Sequence, residues 1–185
     1  MLDQPTQAIV DELVGNAHGN LTRVRELLDR HPELLDVKAI WNESPIEAAT
    51  QMGNRAIIDD LIARGAPVDF FTALVLGKFE RVSRELKANP DLAQSRGVHD
   101  LPALYFAAIG GDIAVAELLL AAGADVNARA QAAAPIHGAV MGGSTDMLRL
   151  LLRHGADASA PDYSGRDAPT LARELGLQEI AALVS

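Results

Sequence analysis

The chain contains no cysteine. Disulfides, thiolate metal sites and thiol nucleophiles are thereby excluded. It has a single tryptophan and only 4% aromatic residues, so each aromatic can be weighed individually. No apolar run approaches the roughly 18 residues of a membrane span. The opening stretch, MLDQPTQAIVDEL, lacks the basic flank and long apolar centre of a secretory signal. A soluble cytoplasmic protein is the resulting expectation. Positive charge is also short: 16 Lys and Arg stand against 25 Asp and Glu, a net −9. That balance disfavours general binding to nucleic acid or anionic membranes. Of the 16 basic residues, 11 lie before residue 97, yet both halves remain acidic.

Catalytic and metal signatures are missing too. The five histidines, His18, His31, His99, His137 and His154, have no i, i+4 pairing of the metal-helix kind. No Gly-x-Ser-x-Gly nucleophile motif occurs. Gly142-Gly143-Ser144-Thr145 lacks the Lys-Ser/Thr of a phosphate loop and any preceding strand, so it reads as a turn between helices. Asp59-Asp60 lies on a predicted helix without a cleft and reads as two solvated surface charges. No cofactor and no metal is expected, and the chain does not read as an enzyme.

What is present is repetition. Residues 101–128 read LPALYFAAIGGDIAVAELLLAAGADVNA, and a close variant, APIHGAVMGGSTDMLRLLLRHGADASA, follows about 32 residues later. Within the first of these, Ile113, Ala116, Leu119 and Leu120 share one helix face. Val115 and Leu118 widen the apolar arc, so the helix must be covered on more than one side. Gly110-Gly111 separates this helix from a shorter one over residues 103–109, and Gly123 supplies a left-handed stop. Such a hairpin of helices cannot bury its own apolar surface, and copies must stack.

These residues resemble the ankyrin repeat. Ala134-Pro135-Ile136-His137 and Ser44-Pro45-Ile46-Glu47 match in part that family's Thr-Pro-Leu-His opening. Residues 119–127, Leu-Leu-Ala-Ala-Gly-Ala-Asp-Val-Asn, match its closing motif in full, and residues 151–157 match most of it. The resemblance implies an all-α solenoid with short connecting hairpins and capping end repeats. It implies that His137 hydrogen-bonds within its own repeat. It also implies a protein-binding function on a concave face lined by hairpin tips and first helices.

Six helix-turn-helix repeats are expected in one domain, 1–185, with repeats near 5–36, 37–68, 69–96, 97–128, 129–160 and 161–185. Pro5 suits a first helical turn, and His31-Pro32 ends the second helix, whose buried face is Leu21, Val24, Leu27 and Leu28. Extended hairpins are expected at 33–44 and 91–102. None fits between the second and third repeats: Gly53 to Gly77 spans 24 residues, about nine short of a full repeat. Phe79 is assigned to the core. Pro169 and Ala181-Ala182 make the sixth repeat the weakest.

A longer period lies above the shorter one. Residues 11–69 align on 69–127 without a gap, and 15 of 59 positions are identical. Pro32/Pro90 and Leu34/Leu92 are not general ankyrin features, so the first four repeats read as a two-repeat unit copied once.

The candidate partner-binding residues are Trp41, Glu43, Phe71, His99, Leu101, Tyr105, Met141 and Tyr163, because aromatic residues dominate binding hot spots. The missing hairpin would leave a notch of roughly 16–20 Å, two helix spacings, walled by Trp41 and Glu43 on one side and His99 and Leu101 on the other. Phe71 and Tyr105 would lie at its floor. The leading function is a scaffold that binds another protein or peptide as a monomer, without nucleic acid or membrane. The alternatives are a small-ligand sensor or enzyme using that notch, and a self-assembling structural protein.

Overall fold

The computed structural model describes residues 4–129 and 133–184. Its described residues form twelve α-helices and three short 3₁₀ turns. In chain order the helices are α1 (Gln4–Ala17), α2 (Leu21–Arg30), α3 (Pro45–Gln51), α4 (Arg55–Ala63), α5 (Phe70–Val75) and α6 (Phe79–Ala88). They continue with α7 (Ala103–Gly110), α8 (Ile113–Ala121), α9 (Pro135–Met141), α10 (Thr145–Arg153), α11 (Ala168–Glu174) and α12 (Gln178–Leu183). The only β pairing among the described residues is an isolated bridge, Arg96 with Pro102.

Local chemistry starts the helices. Asn20, Asn54, Asp112 and Ser144 each cap the helix that follows, accepting from the backbone N–H three residues on at 3.0–3.3 Å. Ser44 and Glu47 form a reciprocal capping box at α3. Asp69, the last residue of the six-residue link 64–69, caps α5 through Thr72 N–H at 2.7 Å. Glycines end several helices in the left-handed region; Gly123, at φ 91°, closes α8 as its position requires.

The chain divides into two compact units, Met1–Thr72 and Ala73–Ser185, with the division inside α5. In the first, α1 packs on α2 and α3, and α3 on α4. Leu13, Leu28, Ile57, Ile58 and Leu61 are fully buried there. Thr50 and Thr72 share a buried hydroxyl–hydroxyl hydrogen bond of 3.1 Å. In the second unit α7 packs on both α8 and α9, α9 on α10 and α11, and α11 on α12. Phe106, Leu119, Ile136, Met147 and Leu148 form its core.

The α7–α9 contact is close because Gly138 permits it. A Cβ there would stand 2.7 Å from the Tyr105 carbonyl oxygen. Gly142 and Gly110 likewise face the carbonyls of Ile109 and Val75, at 2.5 Å from a notional Cβ. These glycines are required by approach of backbone rather than by φ.

Several expectations need correction. Residues 33–44 and 91–102 are not extended throughout: each begins with a 3₁₀ turn, at Pro32–Leu34 and Pro90–Gln94, because proline fits the first position of a helical turn. The buried positions of α8 are Val115, Ala116 and Leu119, while Ile113 and Leu120 are only partly covered. Leu21 is partly covered for the same end-of-helix reason as Phe79. Phe79 is 39% exposed, since it opens α6 and the buried face of that helix is Val82 and Leu86. Pro169 sits in the first turn of α11, where no N–H is needed, so it does not weaken that helix. The expected join into the fifth repeat falls partly on residues 130–132, outside the described residues.

The hairpin turns share one hydrogen-bond pattern. Ala39 N–H donates to Glu43 O, and Gly97 N–H to Leu101 O, both at 2.9 Å. Asn42 N–H donates to Ala39 O and Asp100 N–H to Gly97 O, at 2.9 and 3.1 Å. Ala66 N–H to Leu61 O, Ala124 N–H to Leu119 O and Ala156 N–H to Leu151 O, at 2.9, 2.9 and 3.0 Å, likewise close three second helices in one way. The non-glycine residues with positive φ among those described are Asn42, His99 and Asp100, all on the two equivalent hairpin tips. The same turn recurs at 162–166, where Asp162 N–H donates to Arg166 O at 2.8 Å and Gly165 N–H to Asp162 O at 2.9 Å; its left-handed position is taken by Asn42, Asp100 and Gly165, residues that tolerate positive φ.

Candidate functional site

Three hairpin turns carry most of the candidate residues. The first unit presents the turn at 39–43. The second presents one at 95–103, closed by Ala103 N–H to Ser95 O at 3.0 Å, and one at 158–168, closed by Ala168 N–H to Ala158 O at 3.1 Å.

On the first turn, Trp41 is 41% exposed and Glu43 is wholly buried. They meet: the indole Nε1–H donates to Glu43 Oε2 at 2.7 Å. His18, at the end of α1, places Nε2 3.4 Å from the same oxygen while its Nδ1 lies 3.1 Å from the Val14 carbonyl. Ile40 N–H donates to Asp11 Oδ1 at 3.0 Å, tying the tip to α1. Glu43 is thus no surface contact residue; it braces Trp41 from beneath. Phe71, on α5, is partly covered and stands edge-on to Phe70 with centroids 5.8 Å apart.

On the second turn His99 is exposed, at φ 53°. Leu101 and Tyr105 are each only 3% exposed. Both were expected on a binding surface; both fill the core instead. The Tyr105 hydroxyl reaches the Met141 sulfur at 3.5 Å, so those two candidates are brought together inside the second unit. Burial raises the phenol pKa well above its ordinary value, and the nearby Tyr163 adds to this. Met141, ending α9, is partly covered.

On the third turn Tyr163 is 75% exposed, with the Arg166 guanidinium 5.9 Å from its ring centroid. Beneath it lies a feature that sequence reading did not find. Asp162 is 8% exposed. Its Oδ1 accepts from the backbone N–H of Ser164 and Arg166 at 2.8 and 2.9 Å, and its Oδ2 accepts from the Arg166 guanidinium at 2.7 Å. Burial works to raise the Asp162 pKa, but the Arg166 hydrogen bonds overcome it and hold the carboxyl below its ordinary range. An Asp followed two and four residues on by turn residues is the signal that could have revealed it.

His137 behaves as its motif implies. It is buried, and Nδ1 accepts from Ala134 N–H at 3.1 Å. Nε2 is enclosed near the backbone of Ala160 and Arg166 without a hydrogen bond of good geometry. Burial lowers its pKa from the ordinary imidazole value, with the Asp162 carboxylate opposing. Asp60 differs from its reading as a solvated charge. Only Asp59 is exposed; the Asp60 side chain is 13% exposed and takes Arg25 at 2.6 Å and Arg64 at 2.8 Å. Burial raises its pKa, and these two arginines more than reverse that. Among the described residues no group of three or more acidic or histidine side chains could hold a metal ion.

A family model described as ankyrin repeats (3 copies) matches residues 73–162 and, overlapping, 104–184. The chain belongs to the ankyrin-repeat family. Among curated proteins nothing matches it. Ankyrin repeats are generally protein-interaction modules and are typically non-enzymatic scaffolds. The family's closing motif has a visible job in this chain. The ankyrin asparagine, Asn127, donates its amide to Gly155 O at 2.9 Å and accepts from Asp157 N–H at 2.8 Å, so it pins one repeat to the next. One repeat earlier, Gln94 makes the corresponding bond to Gly123 O. Two residues further along each of these connections an arginine adds a second tie, Arg96 to Arg129 O and Arg129 to Pro161 O, both at 3.1 Å. No helix among the described residues is long and apolar enough to cross a membrane.

Proposed function

We propose that this ankyrin protein is a six-repeat binding module, a cytoplasmic monomer that holds another protein or peptide through its hairpin tips and the adjoining first helices. One observation carries the reading. Among the large apolar residues that are exposed, Ile40, Trp41 and Tyr163 stand on hairpin tips, and both aromatics are braced, Trp41 by Glu43 and Tyr163 by Arg166. A braced aromatic loses little conformational freedom on binding, which is the character of a hot spot. The contact residues that follow are Trp41 and half-covered Phe71 in the first unit, and His99, Tyr163 and half-covered Met141 in the second. Glu43, Leu101 and Tyr105 support them from within.

The test is affinity capture with the intact chain and with a Trp41→Ala, His99→Ala, Tyr163→Ala variant. A partner held by the first and released by the second supports the proposal. A partner retained equally by both counts against it, and a defined metabolite copurifying in place of a protein favours the small-ligand alternative.

A further inference from the structure

Glu43 sits wholly out of water, which for a carboxylate is costly unless its partners replace the lost solvation. The copied unit shows that the fold does not ask for it. Fifty-eight residues on, the equivalent position is Leu101, also buried, closing the same turn with the same 2.9 Å backbone bond. An apolar residue therefore satisfies this place in the hairpin. What Glu43 adds is the 2.7 Å hydrogen bond from the Trp41 indole, with His18 3.4 Å from the same oxygen. The copy lacks both: His99 stands for Trp41 and Leu76 for His18. The acid and the indole come as a set, and the set is placed beneath an exposed tip.

The chemistry of that tip selects a partner. An indole whose N–H is directed into a carboxyl oxygen presents an electron-rich ring face, and tryptophan is the strongest of the aromatic cation acceptors. The surrounding charge agrees. Residues 1–72 hold 12 acidic residues against 6 basic ones. Glu33 and Asp36, on the same connection, are exposed. Lys38, the cation nearest in sequence, is engaged by Glu47 at 3.1 Å. Ile40, 75% exposed beside the ring, offers aliphatic surface to the stem of a long cationic side chain.

We infer that the Ile40–Trp41 tip docks an arginine-bearing segment of a partner protein, the guanidinium over the Trp41 ring, with Glu43 as the positioning residue that fixes the indole. This rests on the protein-binding reading and adds to it the partner's chemistry and the role of Glu43.

The experiment is selection of random displayed peptides on the full chain, followed by titration of the enriched peptides. Trp41 is the only tryptophan, so its fluorescence reports this site alone. The enriched peptides should carry arginine beside an aliphatic residue. Replacing that arginine by citrulline, which keeps shape and removes charge, should weaken binding by about tenfold. Glu43→Leu should weaken it at least about fivefold while leaving Tm unchanged or higher, because leucine serves the same place in the copy. A merely structural glutamate would lower Tm and affinity together. Glu43→Gln, which keeps an acceptor for the indole, should bind more tightly than Glu43→Leu. Should Glu43→Leu fail to fold, Trp41→Leu, followed by calorimetry, must still abolish the preference for arginine over citrulline. Enrichment of acidic or uncharged peptides, indifference to citrulline, or no enrichment overturns the inference. Peptides or a native partner bound independently of Trp41 overturn it too, while leaving the protein-binding reading intact.

Discussion

Gly138 offers a sharp test of the packing argument, because two opposing effects can be weighed in advance. It lies in the middle of α9, where exchange of glycine for alanine ordinarily stabilises a helix by about 1 kcal/mol. Here the new methyl would stand 2.7 Å from the Tyr105 carbonyl oxygen, 3.1 Å from Tyr105 Cδ2 and 3.3 Å from Ile109 N. Two of those atoms are backbone of α7, so α7 and α9 must separate to admit it. Overpacking of this kind costs about 1–3 kcal/mol, and more where backbone must move. The net for Gly138→Ala is a loss of about 0–2 kcal/mol, towards the upper end because backbone must move. Gly15, near the end of α1, is the matched control: a Cβ there meets nothing within 4 Å. Gly15→Ala should gain about 0.5–1 kcal/mol. Urea denaturation followed by circular dichroism measures both. A stabilised Gly138→Ala, or equal shifts of one sign in the two variants, would refute the claim that backbone approach dictates glycine at this contact.

Other outcomes follow from the same structure. Gly123→Val should cost more than about 1 kcal/mol, because φ 91° is closed to a β-branched residue even though the surrounding space is open; an unchanged melting temperature would contradict this. Leu119→Ala, removing a fully buried side chain from α8, should cost about 2–5 kcal/mol in the same assay. His137 should make stability depend on pH. Its folded pKa is lowered from 6.5, so below about pH 6.5 the unfolded chain takes a proton that the folded chain resists, and stability falls as pH falls through that window. The slope between about pH 5 and 6.5 should be shallower in His137→Gln, as read by denaturation at each pH. Asp162, with its pKa held below 3.8, contributes stability that is lost only at lower pH and does not confuse the comparison.

Much of the architecture was legible because it rests on local rules. The glycine stops and the 3.6-residue periodicity placed the short helix expected over residues 103–109 to within a residue of α7. The His137 bond to Ala134 was legible through its motif. The surface was harder to read. Leu101 and Tyr105 occupy hairpin and first-helix positions, which favour exposure in general, but Tyr105 is drawn inward against Met141 and α9 by contacts some 36 residues away in sequence. Glu43 reads as a surface acid beside Asn42; only the fold shows it lying under Trp41. Asp60 was misread because its partners, Arg25 and Arg64, come from two different helices and only one of them is a helical neighbour. Nor does sequence say that Gly138 and Gly142 are glycines for the sake of a neighbouring helix, since that depends on an interaxial distance that composition does not encode.

The central claim is that braced residues on the hairpin tips hold a protein partner. Site-specific photocrosslinking within cells tests it most directly, with the reactive group placed in turn at Ile40, at Tyr163 and, as a control on an exposed second-helix position, at Glu117. The account predicts that one protein is captured in common from Ile40 and Tyr163 and not from Glu117. Capture from Glu117 alone, or the same yield from all three positions, would contradict it.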